Sequence, residues 1–580
     1  MKRLVFCVLA VFISRGTTLA QQAPAGNERA ETRILTEGHE EGSVFGEPGM
    51  ADRVDAVTKH AFSQEVDLEP LRKLAVFHNG RVKIMDTLAR ETVSALTGTR
   101  AYFDLVAAGE GVVKKAKYDP LFTLMDLMID PAYYVDKPLI HVGFLPLREA
   151  YLERAIPNDA RAREQLMKLT RVTPIMVERY STPIFNEMGS SPEMRRGLDR
   201  VDRAFALFLN CESNLLMVAP AQRQDPWMHL GDLAPDAPVR VAAARLGAAW
   251  RQRDAAGVNA AVAALAEALP MIHPDVYPAE RRTIELAYNR SNAFEWGYWT
   301  YAVSLLALLL AFGTGRRWLT RLGVLLLIVA IGLHAFGFVT RCFIAERFAI
   351  QNQFESMTGV SLFAALVGLG AMLVRRQWLF GAAAAGTGFL VLIMATQAGI
   401  PGVNIEREAA ILNTSVLLKY HVTTVLTSYG LITLGFICSL FYLGTHYARR
   451  LMGAGADVVV VASQAVSVGS DAPPSPDRTL RDLDKAQMTI LQLAFWTLGV
   501  GILLGAWWAD HSWGRWWAFD PKETWALVTW IVYLIVIHVR RAGIRDKGLV
   551  TAWLSVVGFV VMLWTYFGVN LLLPGLHAYA

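Results

Sequence analysis

The sequence holds 580 residues, 53% of them hydrophobic and only 18% charged, with a net charge of +5. At roughly 100–200 residues per domain such a length calls for several units, and the composition is too apolar for a disordered chain or a wholly soluble one. Lys and Arg gather at the ends of apolar runs, which fits membrane topology and excludes nucleic-acid binding as the reason for the charge.

The four cysteines, Cys7, Cys211, Cys342 and Cys438, form no CxxC, no CxxCH and no cluster with histidine. A zinc site, a dithiol centre and covalent haem attachment therefore lack ligands.

Residues 1–20 read as a secretory signal peptide. Lys2 and Arg3 precede an apolar run from Leu4 to Ile13, and Thr18-Leu19-Ala20 offers a small-residue cleavage site. Arg15 stands between the two and leaves an uncleaved anchor as the alternative. Residues 21–295 have the texture of an exported, mostly helical soluble domain, with helix-period stretches such as Val201–Leu216 and Val258–Leu269. No alternating pattern is long enough to predict a sheet.

Beyond residue 295, uncharged apolar runs follow one another at about 296–314, 322–340, 356–374, 378–397, 421–444, 488–508, 523–539 and 549–573. Each has the length a helix needs to cross roughly 30 Å of hydrocarbon. The predicted fold is an all-α polytopic membrane protein, with about eight transmembrane helices in residues 296–580 behind the soluble domain. A polar insert at about 449–485, rich in Gly, Ser, Pro and Asp, reads as a cytoplasmic linker.

Orientation follows from the arginines. With the amino-terminal domain outside, Arg316-Arg317, Arg375-Arg376, Arg449-Arg450 and Arg540-Arg541 all fall in inner loops, as the positive-inside rule requires. The protein is then expected in the inner (cytoplasmic) membrane, with its amino-terminal domain and its carboxyl terminus on the periplasmic side.

This topology brings His421, the loop at about 507–525 and His577 to one outer surface. Seven of the sixteen tryptophans lie between Trp507 and Trp530, and interfacial anchoring alone would spread them over all helix ends. Such a cluster suits a flat aromatic partner.

The run Gly499-Val500-Gly501 to Trp507-Trp508-Ala509, followed by Trp513-Gly514, Trp516, Trp517 and Asp520-Pro521-Lys522-Glu523-Thr524-Trp525, resembles the tryptophan-rich WWD domain of the CcsA, or ResC, family of cytochrome c-type biogenesis proteins. Arg341 with Phe354-Glu355-Ser356, Lys419-Tyr420-His421-Val422, and Gly575-Leu576-His577 agree in order. The soluble domain, with Phe77-His78-Asn79-Gly80-Arg81-Val82-Lys83 and Asp86 to Glu91, resembles pieces found in longer, fused members. Phe519 departs from the family's usual Trp, keeping an aromatic face and losing an indole donor. An extra histidine, His511, lies in the loop.

The resemblance implies the haem-handling half of a System II holocytochrome c synthase. Haem b is held edge-out at the outer face while the CxxCH segment of apocytochrome c reaches its vinyl groups, a task of positioning. It implies His421 and His577 as axial ligands of the haem iron. It also implies Trp513, Trp516, Trp517 and Trp525 over the porphyrin, with Asp520, Lys522 and Glu523 fixing the loop or meeting the propionates.

A second, intramembrane histidine pair is expected in the family, and His538 matches one member. His334 is a candidate by order, although at about 1.5 Å per residue it lies some 14 Å shallower than His538; His446 sits at the better depth. A ResB-like membrane subunit and a thiol reductant protein are the expected partners, with no nucleic acid. A haem exporter or relay without synthase activity, and a transporter of an unrelated solute, are the alternatives.

Overall fold

The computed structural model describes residues 43–46, 54–107, 113–375, 378–400, 402–407, 416–452, 476–540, 542, 544–573 and 575. The signal-peptide reading of residues 1–20, most of the polar insert and His577 lie outside them. Contacts divide the chain into two units, Met1–Asn289 and Arg290–Ala580.

The first unit is mostly helical, with three short two-stranded ladders that no alternation in the sequence announces. Strands of two to five residues are too short to display a period of two. The ladder of Ala75–His78 with Arg81–Ile84 closes on Asn79 and Gly80, with φ 49° and 76°, and Asn-Gly is the pair that tolerates left-handed backbone in a tight hairpin.

Buried carboxylates organise this unit. Asp104 accepts the hydroxyls of Tyr102, Tyr118 and Tyr133 at 2.7, 2.9 and 2.5 Å. Asp126 takes the Lys59 ammonium at 2.6 Å, the Tyr134 hydroxyl at 2.7 Å and the Trp250 indole at 2.9 Å. Charges so far from water persist because each carboxylate is fully hydrogen-bonded. Asp86, bonded to Arg72, Arg90 and Asn289, and Glu285, bonded to Arg81 and Thr87, tie the hairpin and the helix Met85–Thr97 to the helix Ala279–Ser291.

Among its described residues the second unit contains eight long helices: α1 Ala293–Thr314, α2 Arg317–Ala345, α3 Gln353–Arg375, α4 Trp378–Gln397, α5 Val416–Met452, α6 Pro476–Trp513, α7 Pro521–Val539 and α8 Lys547–Leu563. All eight are long and apolar enough to cross a membrane, and they coincide with the eight predicted runs. Only helices and closed barrels satisfy every backbone group in lipid, which is why this half shows no open sheet among its described residues.

α1 to α4 pack as one group and α5 to α8 as a second, with α5 also touching α3 and α4. The helices exceed their apolar runs: α5 continues to Met452 and α6 starts at Pro476, within the insert read as a linker. α6 also continues to Trp513, so residues 507–525 form a helix end, a turn and a helix start rather than one loop. Gly514, at φ 67°, ends α6 by donating its N–H to the Asp510 carbonyl at 2.9 Å.

Candidate functional site

The starts of α3, α5 and α7 meet the ends of α6 and α8 at one end of the bundle and line a cavity of about 240 Å³. Arg316-Arg317, Arg449-Arg450 and Arg540 lie at the opposite ends of their helices.

Local rules set the turn above the cavity. Asp520 caps α7 by accepting the Lys522 N–H at 3.1 Å, and Glu523 reaches back to the N–H groups of Ala518 (2.9 Å) and Asp520 (3.3 Å). This reciprocal capping box holds Phe519 in left-handed backbone, φ 55°, with its ring 81% exposed. Trp508, Trp513, Trp516 and Trp517 then stand in the cavity wall with Tyr429 and Tyr566. Trp508 and Trp513 meet edge to face at 6.4 Å, the favoured geometry for quadrupolar rings.

His421, on the first turns of α5, lines the same cavity. Its Nδ1 lies 2.8 Å from the Gly501 carbonyl of α6. Facing a carbonyl, Nδ1 must carry the proton, so Nε2 holds the lone pair. A backbone carbonyl fixing the tautomer in this way is the usual support of a metal-ligating imidazole.

Charge in the wall is unbalanced. Lys419, Arg515 and Lys522 face a single carboxylate, Glu523, which is already engaged by two N–H groups. Among the described residues no three His, Cys, Asp or Glu converge to hold a bare metal ion. A metal that brings its own equatorial ligands needs only the imidazole.

The remaining sequence candidates fall elsewhere. Trp525 packs edge to face on Trp564 at 5.8 Å outside the cavity wall, and Asp520 acts through its cap. His577 lies outside the described residues, although Gly575 is within them, so close to Asp520 that a Cβ there would come 2.6 Å from its Oδ1.

His334 is fully buried within α2, with Nε2 donating to the Thr358 carbonyl at 2.9 Å and Nδ1 3.4 Å from the Tyr301 hydroxyl. His538 is exposed near the end of α7, with Nδ1 on the Leu534 carbonyl at 2.8 Å, and His446 stacks on Tyr442. His511 is exposed and bonds the Trp507 carbonyl at 3.0 Å.

Gln353 and Tyr566 line the cavity without having been singled out in the sequence, and Trp508 and Lys419, quoted there only as parts of motifs, line it too. A lone Gln at a helix start carries no such signal.

Fold and site together define a multi-span membrane protein with an aromatic, cationic cavity at one end of its bundle. The family model described as cytochrome C assembly protein matches residues 293–577. The chain is 33% identical over 300 residues to the cytochrome c biogenesis protein CcsA of Parasynechococcus marenigrum (strain WH8102), a match covering 49% of this chain and 94% of that one. It is 27% identical over 536 residues to protein NrfI of Wolinella succinogenes, covering 86% of this chain and 53% of that one. The chain thus belongs to the cytochrome c assembly family, as a CcsA-type protein with an amino-terminal extension. It spans about half the length of NrfI.

Proposed function

We propose that the protein binds haem b in this cavity at the periplasmic face of the inner membrane and presents it to the CxxCH segment of apocytochrome c for thioether attachment. The observation that carries the reading is His421, whose Nδ1–H is held by the Gly501 carbonyl, the support typical of an iron-ligating imidazole, in the wall of a tryptophan-rich, cationic cavity. The residues fit the group: tryptophans for the porphyrin faces, an imidazole for the iron, cations for the carboxylates. His577 supplies the second axial ligand in this reading, with Gly575 beside Asp520 as its support.

Haem supplies the vinyl groups that accept the client thiols. The chain's own part is to orient that edge and exclude water from the iron, a gain from proximity. A ResB-like subunit and a thiol reductant complete the proposed system, and His538 receives haem from the inner side.

The test is the visible spectrum of the purified full chain and its capacity to mature a c-type cytochrome in cells. Sharp bis-histidine bands, lost in His421→Ala together with maturation and partly restored by imidazole, are expected. A wild-type protein without haem bands, or a fully competent His421→Ala, overturns the reading.

A further inference from the structure

Two polar groups in the cavity wall have no protein partner among the described residues. Gln353, on the first turn of α3 and 7% exposed, leaves both Oε1 and Nε2 without a hydrogen bond. Trp508, near the end of α6 and 3% exposed, leaves its Nε1–H unpaired. Buried donors and acceptors are normally paired, so two orphans in one wall need a reason.

Neither belongs to a loosely held residue. The Gln353 carbonyl accepts the hydroxyls of Ser356 at 3.1 Å and Tyr566 at 3.4 Å, and the Trp508 ring is held edge-on by Trp513. Lys522, on the first turn of α7, brings an ammonium to the same cavity. The three groups sit on three different helices.

An indole N–H, an ammonium and the amide Nε2 all donate, and of these groups only the Gln353 Oε1 accepts, so donors prevail. Their complement is therefore a set of acceptors, and the excess of cations in the wall makes that set anionic. We infer that Gln353, Trp508 and Lys522 form the corner that binds the carboxylates of haem. This deepens the haem reading above and rests on it.

Protoporphyrin carries its two propionates along one edge and its vinyl groups away from them, so a corner that holds the propionates sets which edge the client meets. Hydrogen bonds to a carboxylate are also stronger than those between neutral groups, which suits anchoring in an otherwise apolar cavity.

The experiment compares haemin with haemin dimethyl ester, which keeps the iron, the ring and the vinyl groups and loses both negative charges. Each is titrated into the detergent-purified full chain and followed by the Soret band. Wild type is expected to bind haemin about tenfold more tightly than the ester, the loss that follows from removing a charge-assisted bond. Gln353→Met, close in shape to the original, should weaken haemin several-fold and leave the ester unchanged, whereas Trp508→Phe, which also trims a ring in the cavity wall, should weaken haemin several-fold more than the ester. Gln353→Glu should weaken haemin further and again spare the ester.

Retained ester binding doubles as proof that a variant has folded. Variants that weaken both ligands equally, or that leave haemin untouched, overturn the carboxylate corner while leaving the haem site standing. A wild-type chain that binds neither ligand overturns the haem reading and this inference with it.

Discussion

The His421 imidazole fits between α5 and α6 only because residue 505 has no side chain: a Cβ built on Gly505 would come within 2.5 Å of the His421 Cε1 and 2.8 Å of its Nδ1. One turn earlier, Gly501 gives α6 the carbonyl that orients the ring and brings the helix close to Val425. Small residues four apart are the usual means of close helix approach in membranes. Here they also make room for an imidazole ring.

Gly505→Ala should therefore act on His421 without touching its chemistry. The ring is displaced from the Gly501 carbonyl, and haem retention in the purified protein should fall by about tenfold, the worth of one well-made polar contact. Added imidazole should recover part of the spectrum, as for His421→Ala. A Gly505→Ala protein with the wild-type spectrum and haem content would show that the seam has slack.

A second prediction concerns the buried ion cluster where α2 and α3 meet. Glu355 and Arg341 are fully buried, paired at 3.1 Å, and Glu355 also takes Arg347 at 2.7 Å and the Gln351 N–H at 3.0 Å. Arg341 spends its remaining donors on the carbonyls of Gly402, Val403 and Asn404. Removing one partner of such a cluster leaves uncompensated buried charge, at a cost of about 3–5 kcal/mol. Glu355→Leu should lower the thermal unfolding midpoint of the detergent-purified chain sharply, whereas Glu406→Leu, on the exposed rim of the same segment, should not. Equal midpoints for the two variants would sink this account.

How much of this was legible beforehand differs between the two units. The eight spans follow from run length and hydropathy, because lipid imposes a helix of fixed minimum length. In the first unit the strands are too short to show a period, and Asn79-Gly80, which closes a hairpin, was not read as one. At the site, His421 and three of the tryptophans came from the motif. Gln353 acquires meaning only from the meeting of α3 with α5, α6 and α7, a tertiary fact that no local pattern encodes. Residues 507–525 read as a loop because tryptophan density and the polar Asp510-His511-Ser512 hid the continuation of α6 to Trp513.

The third prediction is a pH dependence of the first unit. Burial, and then the charges of Lys83 and Arg81, lower the His78 pKa to about 4. The Lys83 ammonium lies 3.3 Å from His78 Nδ1, a contact that requires the neutral ring. The folded state therefore binds fewer protons than the unfolded one, whose histidine titrates near 6.5. The stabilisation is fully present above about pH 6.5 and disappears as pH falls toward 4. Wild type should lose stability between pH 6.5 and 4.5 faster than His78→Leu, measured as the urea midpoint of the full chain at each pH. Parallel curves would remove His78 as the cause.

The last prediction concerns the direction of haem supply. His538 is exposed near the end of α7, with its Nδ1 proton committed to the Leu534 carbonyl, so that Nε2 carries the lone pair. Two residues on, Arg540 is held by Asp484 through two bonds of 2.6 and 2.5 Å. The cavity lies at the other end of the helix, where Lys522 enters its wall. A substitution at His538 is thus far from the cavity and should not change what the cavity can bind. If haem arrives from the cytoplasmic side through His538, His538→Ala should be isolated with little haem and yet bind added haemin with wild-type affinity. His421→Ala should fail at both. Normal haem content in His538→Ala would take the inner histidine out of the route and leave it as an ordinary interfacial residue beside the Arg540–Asp484 pair.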